Sequence, residues 1–297
     1  MPTFPGTDLW QGVRALIARR LQRPEPFDLA VASASDVGCE RSENQDRVGL
    51  LRLPDDGTGC LAGIVADGMG GEWAGGRAAE LAVATVSDCL RQSGGRAPLK
   101  ALRSAFEDAH AAILAESRTR QGGMSMGTTL TVALLCDGLL YCGHVGDSRL
   151  YRLRAGELRQ LSTDHSLVAD MLARGLIDEA SARQHPQRNV LSRAVGKRET
   201  VSPDIWCESE VPRPGDCYLI CSDGLHGLVD EDSMARVISR NEADASCKCL
   251  IELARAAGGH DNISVIVIQL LRPGSSGTGP GMAQPCESTS PADGRKS

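Results

Sequence analysis

The feature that most constrains the fold is the way short apolar runs are cut off by turn residues. "DLAVASASDVG" (28–38), "DRVGLLRL" (46–53), "CLAGIVADG" (60–68), "TTLTVALLCDG" (128–138), "LLYCGHVGDS" (139–148), "RLYRLRAGE" (149–157), "CYLICSDG" (217–224) and "NISVIVIQL" (262–270) are β-branched or alternating, and bounded by Asp, Gly or Ser. Runs of this kind predict strands. Helical patterns lie between them at 74–93, 98–120, 164–175 and 243–257. Residues 127–154 carry three strands joined by tight turns, with "CDG" at the first, which predicts an antiparallel meander. Consecutive strands with helices in pairs predict α+β layers and not a strict βαβ alternation. No internal repeat or interior linker interrupts the block, so one domain is expected over 27–272.

The flanks differ in character. From Arg272 the chain reads "RPGSSGTGPGMAQPCESTSPADGRKS", too poor in apolar residues to offset its ordering entropy, and 273–297 is expected to be disordered. Residues 1–26 form an N-terminal extension. There Thr7 or Asp8 can cap a helix, and Leu9, Val13, Leu16, Ile17 and Leu21 share one face before Pro24. Two readings stand: a helix docked on its own domain, or one that docks a partner or a membrane surface.

Composition removes several function classes. The 297 residues are 41% hydrophobic and 24% charged, with a net charge of −6, so no basic field draws in nucleic acid. No apolar run reaches the roughly 20 residues of a membrane span, and "MPTFPGTDLW" lacks the layout of a secretory signal. The 11 cysteines are odd in number and scattered, which predicts no disulfide framework. No C-x-x-C pair suits zinc. Small buried thiols are expected, with Cys217 and Cys221 on one strand face, and the cytoplasm suits so many free thiols.

"IVADGMGGEWAGGRAAE" (64–80) is a strand, an aspartate, a burst of glycines and a helix. As a phosphate cradle it fails. Counted from Gly71 and Gly76, the P-loop pattern meets Arg77 and Ala78 where lysine and a hydroxyl belong. Counted from Gly68 and Gly70, the dinucleotide pattern ends at Trp73. Aspartate recurs at strand ends instead: Asp67 in "VADG", Asp147 in "VGDS", Asp223 in "CSDG" and Asp261 in "GHDN". Carboxylates on rigid strand ends suit Mg²⁺ or Mn²⁺, which take oxygen ligands and keep several waters. Asp-Gly is also a common turn. That reading suffices for Asp137 and stays open for the others.

The chain resembles the metal-dependent Ser/Thr protein phosphatases of the type 2C family, in their bacterial form. The matching stretches run in the family's order: "RSENQD" (41–46), "VADGMGG" (65–71), "GTT" (127–129), "GHVGDSRLY" (143–151), "STDHS" (162–166), "NVLSRAVG" (189–196), "CSDGL" (221–225) and "DNIS" (261–264). Any one is weak; eight in order are specific.

The resemblance implies a four-layer αββα fold, a central antiparallel β-sandwich flanked by helix pairs. It implies two Mn²⁺ or Mg²⁺ ions at one edge. Asp67 and the Gly68 carbonyl would hold them, with Asp223 and Asp261 completing the second position and Asp46 holding metal-bound waters. A possible third, weaker ion would use Asp147 with Asp223. Arg41 would grip the phosphate, and a metal-bridging hydroxide would attack phosphorus directly. No phosphoenzyme is needed, and no C-x5-R loop occurs.

Two departures are implied. Met69 stands where many eukaryotic members carry a histidine often assigned as general acid, and Gln45 stands where they have glutamate; both fit the bacterial branch. His144 is a second candidate acid, while His165 reads as a structural hydrogen-bonding residue. Residues 166–200 resemble the family's flap, where Arg183, Arg188 and Arg193 are candidates to hold an acidic phosphopeptide. Phosphorylated proteins are the implied partners, with a Ser/Thr kinase as the opposing activity. A pseudophosphatase would lack a ligand, yet all are present. A sensor-linked phosphatase would need a further domain.

Overall fold

The computed structural model describes residues 25–53, 59–71, 74–119 and 126–274. The expected helix within residues 1–24 and the tail beyond 274 lie outside the described residues. One sheet has strand order β1-β11-β10-β7-β8: β1 (Asp28–Asp36), β11 (Ile263–Leu271), β10 (Cys217–Cys221), β7 (Arg149–Arg154) and β8 (Glu157–Gln160). The other runs β2 (Asp46–Arg52), β3 (Leu61–Met69), β5 (Leu130–Cys136), β6 (Leu139–Val145) and β9 (Asp204–Cys207), with the short β4 (Gly127–Thr128) on β3. Every pairing is antiparallel.

The sheets stack face to face around Leu61, Val65, Leu135, Leu150, Tyr218, Ile220, Ile266 and Ile268. Helices α1 (Ala74–Ser93) and α2 (Pro98–Thr119) cover the outer face of the β3 sheet. Alanines at 74, 78, 79 and 82 line the buried side of α1, so its backbone lies close to the strands. The face of the β10 sheet is covered by α6 (Glu231–Arg240) and α7 (Ala243–Ala256). The four layers are the expected αββα arrangement. Three shorter helices, α3 (Leu167–Ala173), α4 (Glu179–Gln184) and α5 (Asp223–His226), lie in connections.

Strand β3 is buried on both faces. Ala62, Ile64 and Ala66 meet α1, while Leu61 and Val65 meet the opposite sheet. That is why its sequence is continuously apolar. Gly63 sits where a Cβ would come within 2.9 Å of Ile220 Cδ1, so it is the close-approach point of the two sheets.

The meander expectation is corrected. β5 and β6 do form a hairpin, with Asp137 at φ 54° and Gly138 at φ 69° in the turn. The third strand leaves: β7 pairs with β8 and β10 in the other sheet. The change of sheet occurs at residues 146–148. α6 is an addition to the expected helices: Met234, Ala235 and Ile238 form its buried apolar face, and Asp230 caps it by accepting from Ser233 N–H at 2.8 Å. β9 and β8 are too short for a periodicity signal.

The thiol expectation is corrected at one pair. Cys60 and Cys136 are joined by a disulfide, lying side by side at the ends of β3 and β5. Among the described residues Cys142, Cys217, Cys221 and Cys247 are buried free thiols, and Cys217 and Cys221 share a face as expected.

Candidate active site

Antiparallel pairing brings the end of one strand beside the start of the next, so residues distant in sequence meet at one edge. Asp46 opens β2 directly across from Asp67 near the end of β3. Asp223 follows β10, and Asp261 lies just before β11, its neighbour. Asp147 lies in the connection where the chain changes sheet. All but Asp46 line an open cleft of about 900 Å³, together with Arg41, Gly68, Met69, Asn262 and most of the segment 189–198.

The backbone at Asp67 is pinned by the "GTT" stretch. Thr129 N–H and Thr128 Oγ1 donate to Asp67 O at 2.8 and 2.9 Å, and Asp67 N–H donates to Thr129 Oγ1 at 2.9 Å. Gly68 packs backbone to backbone against Gly75 at the start of α1; a Cβ there would collide with Gly75 O and with Gln45 O. The glycines therefore let a strand end, a helix start and the 45–46 backbone close on one another.

Asn262 wires the Arg41 loop. Its Oδ1 accepts from Gln45 N–H at 2.7 Å, and its Nδ2 donates to Val37 O and Glu43 O, each at 2.9 Å. The residue was visible in "DNIS", but nothing local gave it this role. Arg41 itself reaches Asp261, Nη2 to Oδ2 at 2.8 Å.

Electrostatically the edge is short of positive charge. Burial, and then repulsion from Asp46, Asp223, Asp147 and Asp261, push Asp67 well above the usual carboxylate range. Burial pushes Asp46 up to about 7 and, with Asp223 adding repulsion, Asp147 up to about 8. Asp223 is also raised, chiefly by burial. Asp46 Oδ2 accepts from Ser222 Oγ at 2.7 Å, while Asp46 Oδ1 and Asp223 Oδ1 are buried with no protein partner. Orphaned carboxylate oxygens are costly unless a cation or water meets them. Among the described residues no three acidic, imidazole or thiol groups already stand as a ready ligand set. The edge offers oxygen donors only, which fits hard ions that complete their shells with water.

The other candidates fall as follows. His144 is fully buried, outside the cleft lining, with Nδ1 2.9 Å from Thr131 Oγ1; burial lowers it to about 4. It is no general acid for the cleft. His165 is buried in hydrogen bonds, as expected. Arg193 lines the cleft and pairs with Asp204 at 2.9 Å, whereas Arg188 is exposed outside the lining. The side chain of Arg183 is outside the described residues. Lys197 and Arg198 also line the cleft and were not singled out from the sequence, because a cation in a polar loop carries no local signature.

Comparison with known proteins agrees with this architecture. A family model described as protein phosphatase 2C matches residues 40–247. The serine/threonine protein phosphatase PstP of Mycobacterium tuberculosis is 36% identical over 243 residues, 82% of this chain and 45% of that protein. The chain thus spans less than half the length of that relative. The serine/threonine phosphatase stp of Listeria monocytogenes is 34% identical, covering 79% of this chain and 93% of that one. A crystal structure of the PstP catalytic domain in complex with two manganese ions superposes with a TM-score of 0.73 at 33% identity, covering 83% of this chain and 100% of that one. No helix among the described residues is long and apolar enough to cross a membrane. With a matching family model over most of the sandwich and relatives above 30% identity along the same stretch, the chain belongs to the protein phosphatase 2C family.

Proposed function

We propose that this protein hydrolyses phosphoserine and phosphothreonine in proteins, using two Mn²⁺ or Mg²⁺ ions, and opposes a Ser/Thr kinase in the cytoplasm. The observation that carries the reading is the gathering of Asp67, Asp147, Asp223 and Asp261 with Arg41 in one open cleft, backed by Asp46. The ions, when bound, supply an acidified water as nucleophile and neutralise phosphoryl charge. Asp67 and the Gly68 carbonyl would hold them, Asp223 and Asp261 would complete the second position, and Asp147 with Asp223 would serve a weaker third. Asp46 lies across from Asp67, and its orphaned oxygen would accept a hydrogen bond from a metal-bound water.

Arg41 binds the phosphate. Its present pair with Asp261 is 57% and 36% exposed, and exposed pairs contribute only about 0–1 kcal/mol. A phosphoryl group offering two oxygens to the guanidinium fork displaces it readily. Met69 lines the cleft with no proton to give, so the leaving oxygen takes its proton from water or another group, or departs unassisted. Among the described residues no cysteine lines the cleft, which leaves no thiol nucleophile in place.

The test is hydrolysis of p-nitrophenyl phosphate and a phosphothreonine peptide with Mn²⁺. Activity is expected to vanish with a chelator and in Asp67→Asn. Strong activity surviving either treatment would sink the two-ion mechanism.

A further inference from the structure

We propose that His165 is a positioning residue that fastens the Asp147 turn to the flap wall of the cleft. The inference rests on the phosphatase reading for its kinetic consequence, but not for its geometry.

Asp147 sits in the short connection by which the chain changes sheet. The preceding Gly146 has φ +113°, and a Cβ there would come 2.6 Å from Thr129 Cβ, so the turn has little freedom. His165 grips Gly146 twice. Gly146 N–H donates to His165 Nδ1 at 3.2 Å, and His165 N–H donates to Gly146 O at 2.7 Å. Because Nδ1 accepts, the ring hydrogen is on Nε2 and is donated to Asp204 Oδ2 at 3.2 Å. Asp204 Oδ1 in turn accepts from Arg193 Nη1 at 2.9 Å. The His165 carbonyl accepts from Ser192 N–H at 2.9 Å.

Ser192, Arg193 and Asp147 all line the cleft, while His165 is 3% exposed and does not. One buried residue therefore joins two walls of the site without touching its contents. Other bonds of the turn lead elsewhere: Ser148 Oγ meets Thr129 Oγ1 at 2.7 Å, Ser148 O accepts from Thr131 Oγ1 at 3.2 Å, and Asp147 O meets His226 Nε2 at 3.0 Å. Those contacts tie Asp147 to the sandwich; His165 ties it to the flap.

The test uses the full chain with p-nitrophenyl phosphate and Mn²⁺. His165→Ala is expected to lower kcat about tenfold with KM within about twofold. His165→Asn, whose amide oxygen can still accept from Gly146 N–H, is expected to recover to within about threefold of wild type. The double variant with Asp147→Ala is expected to lose no more than Asp147→Ala alone, since both act through one group. Losses that multiply, or a failure of Asn to rescue, overturn the proposal.

A second arm needs no activity. Amide hydrogen exchange at Gly146 and Ser192 is expected to rise about tenfold in His165→Ala while unfolding stays cooperative. Unchanged exchange overturns the proposal, even if wild type proves inactive and the phosphatase reading falls. If His165→Ala does not fold, Asp204→Ala, at a position 44% exposed, serves instead. It removes the ring's acceptor, and faster exchange at Gly146 is again expected, with no change overturning the proposal.

Discussion

The two ends of the β-sandwich both collect charge, and they handle it in opposite ways. At the far end Arg154 clasps Asp216 through two bonds of 2.6 Å and reaches Glu210 at 2.8 Å. Arg152 and Arg159 also donate to Glu210. Asp216 and Glu210 each have an arginine there, although Arg152 Nε and Nη1 and the Tyr218 hydroxyl are buried without a protein partner. At the cleft end Asp46, Asp67, Asp147, Asp223 and Asp261 gather, Arg41 pairs with Asp261 while Arg193, Lys197 and Arg198 stand elsewhere in the lining, and two carboxylate oxygens have no protein partner. A charge cluster balanced within the chain is architecture. One left unbalanced on a rigid edge asks for a ligand, and it is stored against the fold's own stability.

Variants at the two ends should behave as opposites. Asp67→Asn is expected to lower turnover by about a thousandfold or more, yet raise the melting temperature of the metal-free protein, because it removes a repelling buried charge. Asp216→Asn, at a side chain 1% exposed, should cost about 3 kcal/mol in denaturant unfolding, since it breaks a buried pair. The folded fraction should keep its kcat. If Asp67→Asn destabilises the metal-free protein as Asp216→Asn does, the contrast fails.

A pH titration sharpens it further. Asp46 and Asp147 have ordinary values of 3.8 and folded values near 7 and 8. Between those limits the folded state binds more protons than the unfolded one, so stability falls as pH rises. The metal-free protein should melt at a lower temperature at pH 8 than at pH 5. Mn²⁺ affinity by calorimetry should move the other way, because the ion competes with those protons. A metal-free melting temperature that rises over this range would refute the stored repulsion.

The smallest expected effect concerns Arg41. Arg41→Gln removes the arginine paired with Asp261, and Mn²⁺ should then bind up to about fivefold tighter, in line with an exposed pair of at most about 1 kcal/mol. Weaker binding would mean that Arg41 organises the ligands.

Much of this was legible along the chain. Asp67, Asp147, Asp223 and Asp261 stand out as carboxylates closing or preceding apolar runs, and the α+β class follows from strands in series with helices in pairs. Chemistry that is carried by residue type and local spacing can be read without coordinates. The strand that changes sheet could not, since a six-residue run with a tight turn looks alike whichever sheet receives it. Nor could Asn262, whose side-chain partners lie 217 to 225 residues away.

By itself, the sequence determined which groups are available and that they sit on rigid strand ends. Only the tertiary structure decided which of them share an edge, that Cys60 meets Cys136, that His144 is walled off from the cleft and that His165 joins two of its walls. The reason is physical. Local propensity is set by neighbours within a few residues, whereas register and sheet assignment are set by long-range burial, and a one-residue change of register sends every side chain to the opposite face.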